Sequence, residues 1–440
     1  MEMRREKWRW QSLLVMSLLL VGSASEAGEV EDLKKEVEVL KEKVKQIEEK
    51  EVEARDEKGH KLHPIRSLYE ARISGGFTGI VQGSLNNEGS FGGNRSEGSM
   101  STDVFLEFPV HEKGSFLLRL DVQQGGGLAS MPPVFANPNG NTTGPNNDIE
   151  TFNSAQSLNL NEARHEDSLF NDHLRVVFGH IDLTSWFDEN DLANKETFQY
   201  IAQHFNNNIT IDWGGSVNFF GPGVVFVVDP LEIADVSLGW FEGDGNYDKI
   251  FGQPFLIGQV TLRTQFVGRE GNYRFYGWGR FTPHCKSTSD PAIFSNCDLI
   301  EDPADRVRIK SGNSGFGLSL DQEISESVGF WARFGYQDPD VSQFDNAVSG
   351  GVVLSKMLGR SHDRLGLAYG AVFPADDFKT ATGRSDVEHY AELYYKYVPF
   401  GDGVLAGLHI TPDLQVVANP GGDGGIDPVF IWGLRTQVSF

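Results

Sequence analysis

The sequence predicts an all-β chain: an antiparallel transmembrane β-barrel preceded by a short N-terminal coiled coil. Three observations predict it. From about Tyr69 to Phe440, short alternating segments recur between turns rich in Gly, Asn, Asp and Pro. Within those segments charge gathers on one face and apolar residues on the other. The chain also starts with an export signal, and no later stretch approaches 18 consecutive apolar residues.

The export signal occupies residues 1–27. Arg4, Arg5, Lys7 and Arg9 form a basic region, and Leu13 to Val21 is too short to span a bilayer. Ser25-Glu26-Ala27 places small residues at the outer positions of a cleavage site, so cleavage is expected after Ala27. Residues 28–58 differ in composition from everything that follows. Val30, Leu33, Val37, Leu40, Val44 and Ile47 step by three and four, which makes a heptad seam. Glu29, Glu36 and Lys43 at g oppose Lys34, Lys41 and Glu48 at e of a parallel partner, and all three pairs attract. A short parallel homo-oligomeric coiled coil is expected there. A single solvated helix is the plainer alternative. Residues 59–68 read as a linker and 69–440 as the barrel.

The composition is consistent with this. Hydrophobic residues are 39% and Phe is the leading aromatic at 31, a profile too polar for many apolar helical spans. A barrel needs an apolar residue only at every second position. The net charge of −24 argues against nucleic-acid binding, and solubility alone explains it equally well.

Charge then fixes the wet face of each strand. In "NYRFYGWGRF" (272–281), Arg274, Tyr276, Trp278 and Arg280 share one parity. Tyr273, Phe275 and Phe281 take the other. Trp331 and Arg333 oppose Phe330, Phe334 and Tyr336, and Glu392 and Lys396 oppose Leu393, Tyr395 and Tyr397. Arg263 opposes Leu262 and Phe266. In the last strand, Arg435 opposes Phe430, Trp432 and Leu434. An Arg facing lipid at mid-bilayer costs roughly 2–4 kcal/mol, so these charges are expected to face a lumen. Aromatic residues near the ends of the apolar faces fit interfacial girdles. A soluble sandwich would sort its charges the same way, which leaves open a secreted lectin or adhesin on a coiled-coil stalk.

The lumen candidates are therefore Arg263, Arg274, Arg280, Arg333 and Arg435, with Glu392 and Lys396, and the aromatic residues Tyr276, Trp278 and Trp331. Aromatic faces pack on the C–H faces of pyranoses, and charged side chains replace hydroxyl hydration. The same residues read equally as an ordinary wet wall, and clustered Arg would also suit phosphate, sulfonate or organic acids. Long loops at about 127–155, 182–209 and 282–310 are expected to include at least one that enters the lumen. Cys285 and Cys297 lie in one polar loop of an exported chain and are expected to pair. No residue pattern supports an enzyme, a cofactor or a metal. "GFGLSLD" and "GDGNYD" lack a strand–helix setting, "NPGGDGGIDP" occurs once, and His284 stands alone.

The end of the chain carries a family likeness. "AELYYKYVPFGDGVLAGLHITPDLQVVANPGG" followed by "GLRTQVSF" resembles the C-terminus of the carbohydrate-selective, OprB-type porins. The carrying residues are Glu392, Tyr394, Tyr395, Ile410 to Gln415, Asn419 to Gly422 and Phe440. "FGHIDLTSWFDENDLANKETFQYIAQHF" (178–205) is similar to the family's segment after a mid-barrel strand. The resemblance covers roughly residues 69–440. It implies a 16-stranded barrel in bacterial outer-membrane lipid that passes sugars by passive diffusion, with a trimer favoured over other oligomers. Terminal Phe440 resembles the sorting signal read by the barrel-assembly machinery. The coiled coil departs from the shortest family members.

Overall fold

The computed structural model of the protein describes residues 70–86, 93–128, 134–141, 156–214, 220–231, 233–243, 247, 250–266, 268–285, 309–401 and 407–440. The signal, the coiled coil, the linker and Cys297, hence the Cys285–Cys297 pairing, lie outside these residues.

Ser74–Ser439 form one compact unit. Its strands, in chain order, are β1 (Arg72–Leu85), β2 (Ser96–His111), β3 (Gly114–Gln124), β4 (Gln156–Leu169), β5 (Leu174–Asp182), β6 (Phe220–Leu231), β7 (Ala234–Glu242), β8 (Pro254–Phe266) and β9 (Arg269–Arg280). A two-residue ribbon, β10 (His284–Cys285) and β11 (Ile309–Lys310), interrupts them. The series resumes with β12 (Asn313–Ser325), β13 (Val328–Gln337), β14 (Phe344–Ser355), β15 (Arg364–Pro374), β16 (Glu388–Lys396), β17 (Leu408–Ala418) and β18 (Val429–Ser439). Apart from the ribbon, each strand pairs with its chain neighbours, and β18 returns to β1, closing a barrel of 16 antiparallel strands. Two short helices, α1 (Gln203–Asn206) and α2 (Asp376–Thr382), lie in connections.

Residue type explains why the sheet closes this way round. In β18, Phe430, Trp432 and Leu434 are 45%, 40% and 46% exposed, whereas Ile431 and Arg435 of the other parity are buried. Phe275, Phe330 and Leu393 repeat the pattern in β9, β13 and β16. The apolar parity faces outward as a belt, and the charged parity faces inward. A soluble sandwich would bury its apolar faces instead. No helix among the described residues is long and apolar enough to cross a membrane.

One irregularity affects the wall. At the β3–β4 ladder the register shifts between Arg119 and Leu120, which pair with Glu162 and Leu160. Asn161 is the extra residue of a β-bulge, so Asn161 and Glu162 both face inward and are buried, while Leu160 faces out.

The connections differ at the two ends. β2–β3, β4–β5, β6–β7, β8–β9 and β12–β13 turn tightly at one end. The connections after β3, β5 and β9 at the other end are long. The connection after β5 runs into the lumen. Leu183, Phe187, Tyr200, Ile201, Phe205 and Ile211 are all buried against the inner wall. Glycines in the wall make room for it. A Cβ at Gly335 would overlap Asn208 and Thr210, and one at Gly370 would overlap the His204 ring.

Candidate functional site: a lumen divided by an inserted segment

The segment from Leu183 to Trp213 is held by a few wall side chains that bond its backbone. Glu392 of β16 accepts hydrogen bonds from the amides of Ile201 (2.6 Å) and Ala202 (3.0 Å). Arg435 of β18 donates to the carbonyls of Gln199 (2.7 Å) and Glu196. Arg333 of β13 donates to the carbonyls of Phe205 (2.8 Å) and Asp188 (3.0 Å). Each charge therefore meets backbone dipoles that the irregular segment would otherwise leave unpaired in a dry place.

Asp188 is the hub. Its carboxylate accepts from Arg333 Nε (3.2 Å), the Tyr276 hydroxyl (2.9 Å) and the Asn208 amide (2.6 Å), and its own amide donates to Gln259 (2.9 Å). Asp188 holds a φ of 58°, the left-handed region, which lets it turn the chain while presenting both groups to the wall. Burial pushes its carboxyl upward, and the Arg333 charge and these three donors oppose that shift. Asn190 adds a bond to Ser319 (3.2 Å), and Ser319 donates to the Glu189 carbonyl (2.9 Å).

Aromatic packing completes the anchor. Tyr200 lies 5.5 Å from Trp331 and 4.9 Å from Tyr394, and Phe205 lies 6.0 Å from Trp331. The Trp331 indole N–H donates to the Tyr200 hydroxyl (3.3 Å). His204 stacks on Tyr390, and burial pulls its imidazole down to about 4. At the segment's end, Asp212 accepts from Arg280 (2.6 Å), His284 (2.5 Å) and Asn313 (3.1 Å). Burial alone would raise Asp212, but His284 and Arg280 bring it to about 2.

A second strap, residues 134–141, lies beside the first. Phe135 donates its amide to Glu388 (3.1 Å) and Gly140 donates to the Ile201 carbonyl (2.8 Å). The Pro138 carbonyl accepts from both Gln82 (3.0 Å) and Gln415 (3.1 Å).

The expected wall residues thus have distinct positions. Arg274, Tyr276, Trp278, Trp331, Arg333, Glu392, Lys396 and Arg435 all point inward and are buried. Arg274 pairs with Asp321 (2.5 Å), and Trp278 stacks on Phe255 (6.1 Å). The inserted segment covers Tyr276, Trp331, Arg333, Glu392 and Arg435. Arg280 is partly exposed beside Asp212. Arg263 stands at the tight-turn rim, half-exposed, with Asp229 (3.1 Å) and Asp235 (2.6 Å).

The opposite wall, β2 to β5, carries charges that the sequence reading did not single out. Arg119 donates to Asp103 (2.9 Å) and Asp182 (3.1 Å), and its guanidinium lies over Phe105 (5.4 Å) and Phe220 (5.6 Å). Arg164 donates to Glu162 (3.0 Å) and Glu166 (2.7 Å). Arg164 and Arg175 flank the Trp186 indole at 5.2 and 5.9 Å. The side chains of Arg119, Asp103 and Arg164 are 19%, 17% and 17% exposed, against 1% for Arg333 and 0% for Asp188. This wall stays wet while the other is covered. "FLLRLDVQ" (116–123) already carried the signal, since Arg119 and Asp121 share a parity.

The comparisons with known proteins agree with this geometry. The family described as "Carbohydrate-selective porin, OprB family" matches residues 120–440. An uncharacterized protein of Aquifex aeolicus (strain VF5) is 24% identical over 242 residues, which span 55% of this chain and 59% of that protein's length. The high-pH structure of Pseudomonas putida OprB aligns with a TM-score of 0.67 at 17% identity, covering 86% of this chain and 96% of that one. The outer membrane channel DcaP of Acinetobacter baumannii aligns with a TM-score of 0.52 at 15% identity, covering 84% of this chain and 97% of its own. These structures share the barrel fold. With the match over residues 120–440, the chain belongs to the carbohydrate-selective porins of the OprB family.

Proposed function

We propose that this outer-membrane porin passes small neutral hydrophilic solutes, sugars foremost, by diffusion along the β2–β5 side of its lumen. The observation that carries the reading is the mixed charge of that wall. The guanidiniums of Arg119, Arg164 and Arg175 stand among the carboxylates of Asp103, Asp121, Asp182, Glu162 and Glu166. Such a wall interleaves both signs and does not favour anions. It does offer donors and acceptors that replace hydroxyl hydration, beside the faces of Trp186, Phe105 and Phe220. An anion filter would need an excess of cations here. Passage along this track involves no covalent step and no cofactor.

In the same reading, the signal is removed near Ala27 and residues 28–58 join protomers, with a trimer favoured. The attractive e/g pairs of the heptads support the coil, and Phe440 supports delivery through the barrel-assembly machinery. Deleting 28–58 should lower the native mass in detergent while each barrel stays folded. An unchanged mass would remove the coil's role in assembly.

Single-channel conductance in a planar bilayer tests the central reading. Mono- and disaccharides at millimolar concentration should reduce the conductance in a saturable way, with no preference for anions. Conductance blind to sugars but strongly anion-selective would overturn the sugar track and keep the channel.

A further inference from the structure

We infer that the lumen holds an oxyanion site at its tight-turn mouth, separate from the β2–β5 track. A recess of about 210 Å³ lies there, lined by Ser361, His362, Arg364, Lys396, Gly401 and His409, with Val398 and Phe400 at its edge. Among the described residues, every titratable side chain lining it is a cation or an imidazole.

Two features make this an incomplete arrangement without a ligand. First, Arg364 and Lys396 sit directly opposite one another across the β15–β16 ladder. Like charges directly opposed destabilise a sheet pair. Neither has a hydrogen-bond or ion-pair partner among the described residues. Second, Lys396 is only 8% exposed. The face of Phe198 lies 5.5 Å from its Nζ and Asp363 attracts it without a direct bond, which together offset only part of burying a charge.

The carboxylate that precedes Arg364 in the chain is already occupied. Asp363 accepts from Arg360 (2.8 Å), the Tyr395 hydroxyl (2.6 Å) and the Val398 amide (3.1 Å). Asp413 lies deeper on the wall and takes the Gln415 amide (2.9 Å). On the imidazole side, His409 packs edge-on against Phe198 (6.4 Å), and its Nδ1 is buried without a hydrogen-bond partner.

A compact oxyanion, phosphate or carboxylate, completes this set. It would place negative charge between the opposed Arg364 and Lys396 and accept from imidazole N–H groups at the rim. Arg364, Lys396 and His409 share the inward parity of their strands, so the recess opens to the lumen and takes a dissolved anion, not a lipid headgroup. An anion there sits under Phe198 of the inserted segment, at the end of the lumen opposite the long loops. The class of ligand this suits is an anionic small molecule, such as a phosphorylated or carboxylated sugar.

Calorimetric titration of inorganic phosphate into the full-length protein, in an uncharged detergent at low ionic strength, tests the assignment. Saturable binding with one phosphate per chain is expected. Lys396→Met and Arg364→Gln should each weaken it at least tenfold, and Lys396→Arg should restore it. Each variant removes an unpaired charge, so the folded barrel's gel migration should persist and separates loss of binding from loss of fold. No saturable heat in the unaltered protein, or equal affinity in both neutral variants, would overturn the site. The heat signal does not depend on conductance, so failure of this site and failure of the sugar track give different results.

Discussion

The two walls of the lumen are made of the same materials and do different things. β9 and β12–β18 present Arg, Glu, Tyr and Trp inward, and β2–β5 present Arg, Asp and Glu with Trp186 close by. On the first wall the inserted segment bonds Arg333, Glu392 and Arg435 through its backbone and buries them. On the second, Arg119 and Arg164 bond wall carboxylates and remain partly wet. Inward direction is a property of one strand. Exposure is decided by a segment that arrives from elsewhere in the chain. A charged residue in a porin wall is thus either part of the pore or part of the fitting that narrows it.

The largest expected effect comes from breaking the covered wall. Arg333→Ala leaves Asp188 as a buried charge without its ion partner, a loss on the order of 3–5 kcal/mol for pairs of this kind. The segment should loosen before the barrel opens, so single-channel conductance should rise and become noisy while the outer strands keep their circular dichroism. Unchanged conductance would mean that the segment is held without Asp188.

Acid should attack the same wall without mutation. The His204 imidazole takes its proton near 4 in place and near 6.5 when free, so its contribution is full above about 6.5 and is lost as pH falls to 4. The size is about 3 kcal/mol at most. A second loss is expected lower down, as Asp212 passes from the usual carboxylate range to about 2. Thermal melting of the protein in detergent across pH 3–7 should show the first step, and His204→Phe should remove it.

Glu392→Gln keeps the shape and halves the acceptor capacity facing Ile201 and Ala202. About 1.5–3 kcal/mol is expected, read as a lower melting temperature. The smallest stability effect belongs to the wet wall. Arg119→Ala should cost on the order of 1–2 kcal/mol, since its pair with Asp103 keeps some water contact. It should nevertheless move the reversal potential toward cations, because Asp103 and Asp182 lose their counter-charge. A variant that destabilised strongly with no change in selectivity would put Arg119 among the anchors and erase the contrast between the walls.

Much of the fold was legible because alternation is a local rule. The parity of Phe430 to Leu434 against Arg435, or of Phe275 against Arg274, needs only neighbours one residue away. The inward direction of Tyr276, Trp331 and Glu392 follows from the same rule. Their cover does not, because Asp188 meets Arg333 only through the closed barrel. The wet wall was hard to read for another reason. The bulge at Asn161 breaks the alternation of β4, and His165 and Asp167 on its outer face hide the inward run of Glu162, Arg164 and Glu166. Trp186 stands outside any strand, where no periodicity marks it.

The seam between β1 and β18 has a kinetic consequence. Apart from β9–β12, which the ribbon separates, every other ladder of the barrel joins strands that follow one another along the chain, but this one brings Gly76 to Ser439 and Leu85 to Phe430. Hairpins can form as they emerge, at little entropic cost, whereas the seam must close a loop nearly as long as the chain. Closure should therefore be the slow event of assembly. A weakening change in the seam, such as one at Ile431, should slow the approach to the closed ring. An equal change in the β8–β9 hairpin should act mainly on how quickly the finished ring comes apart.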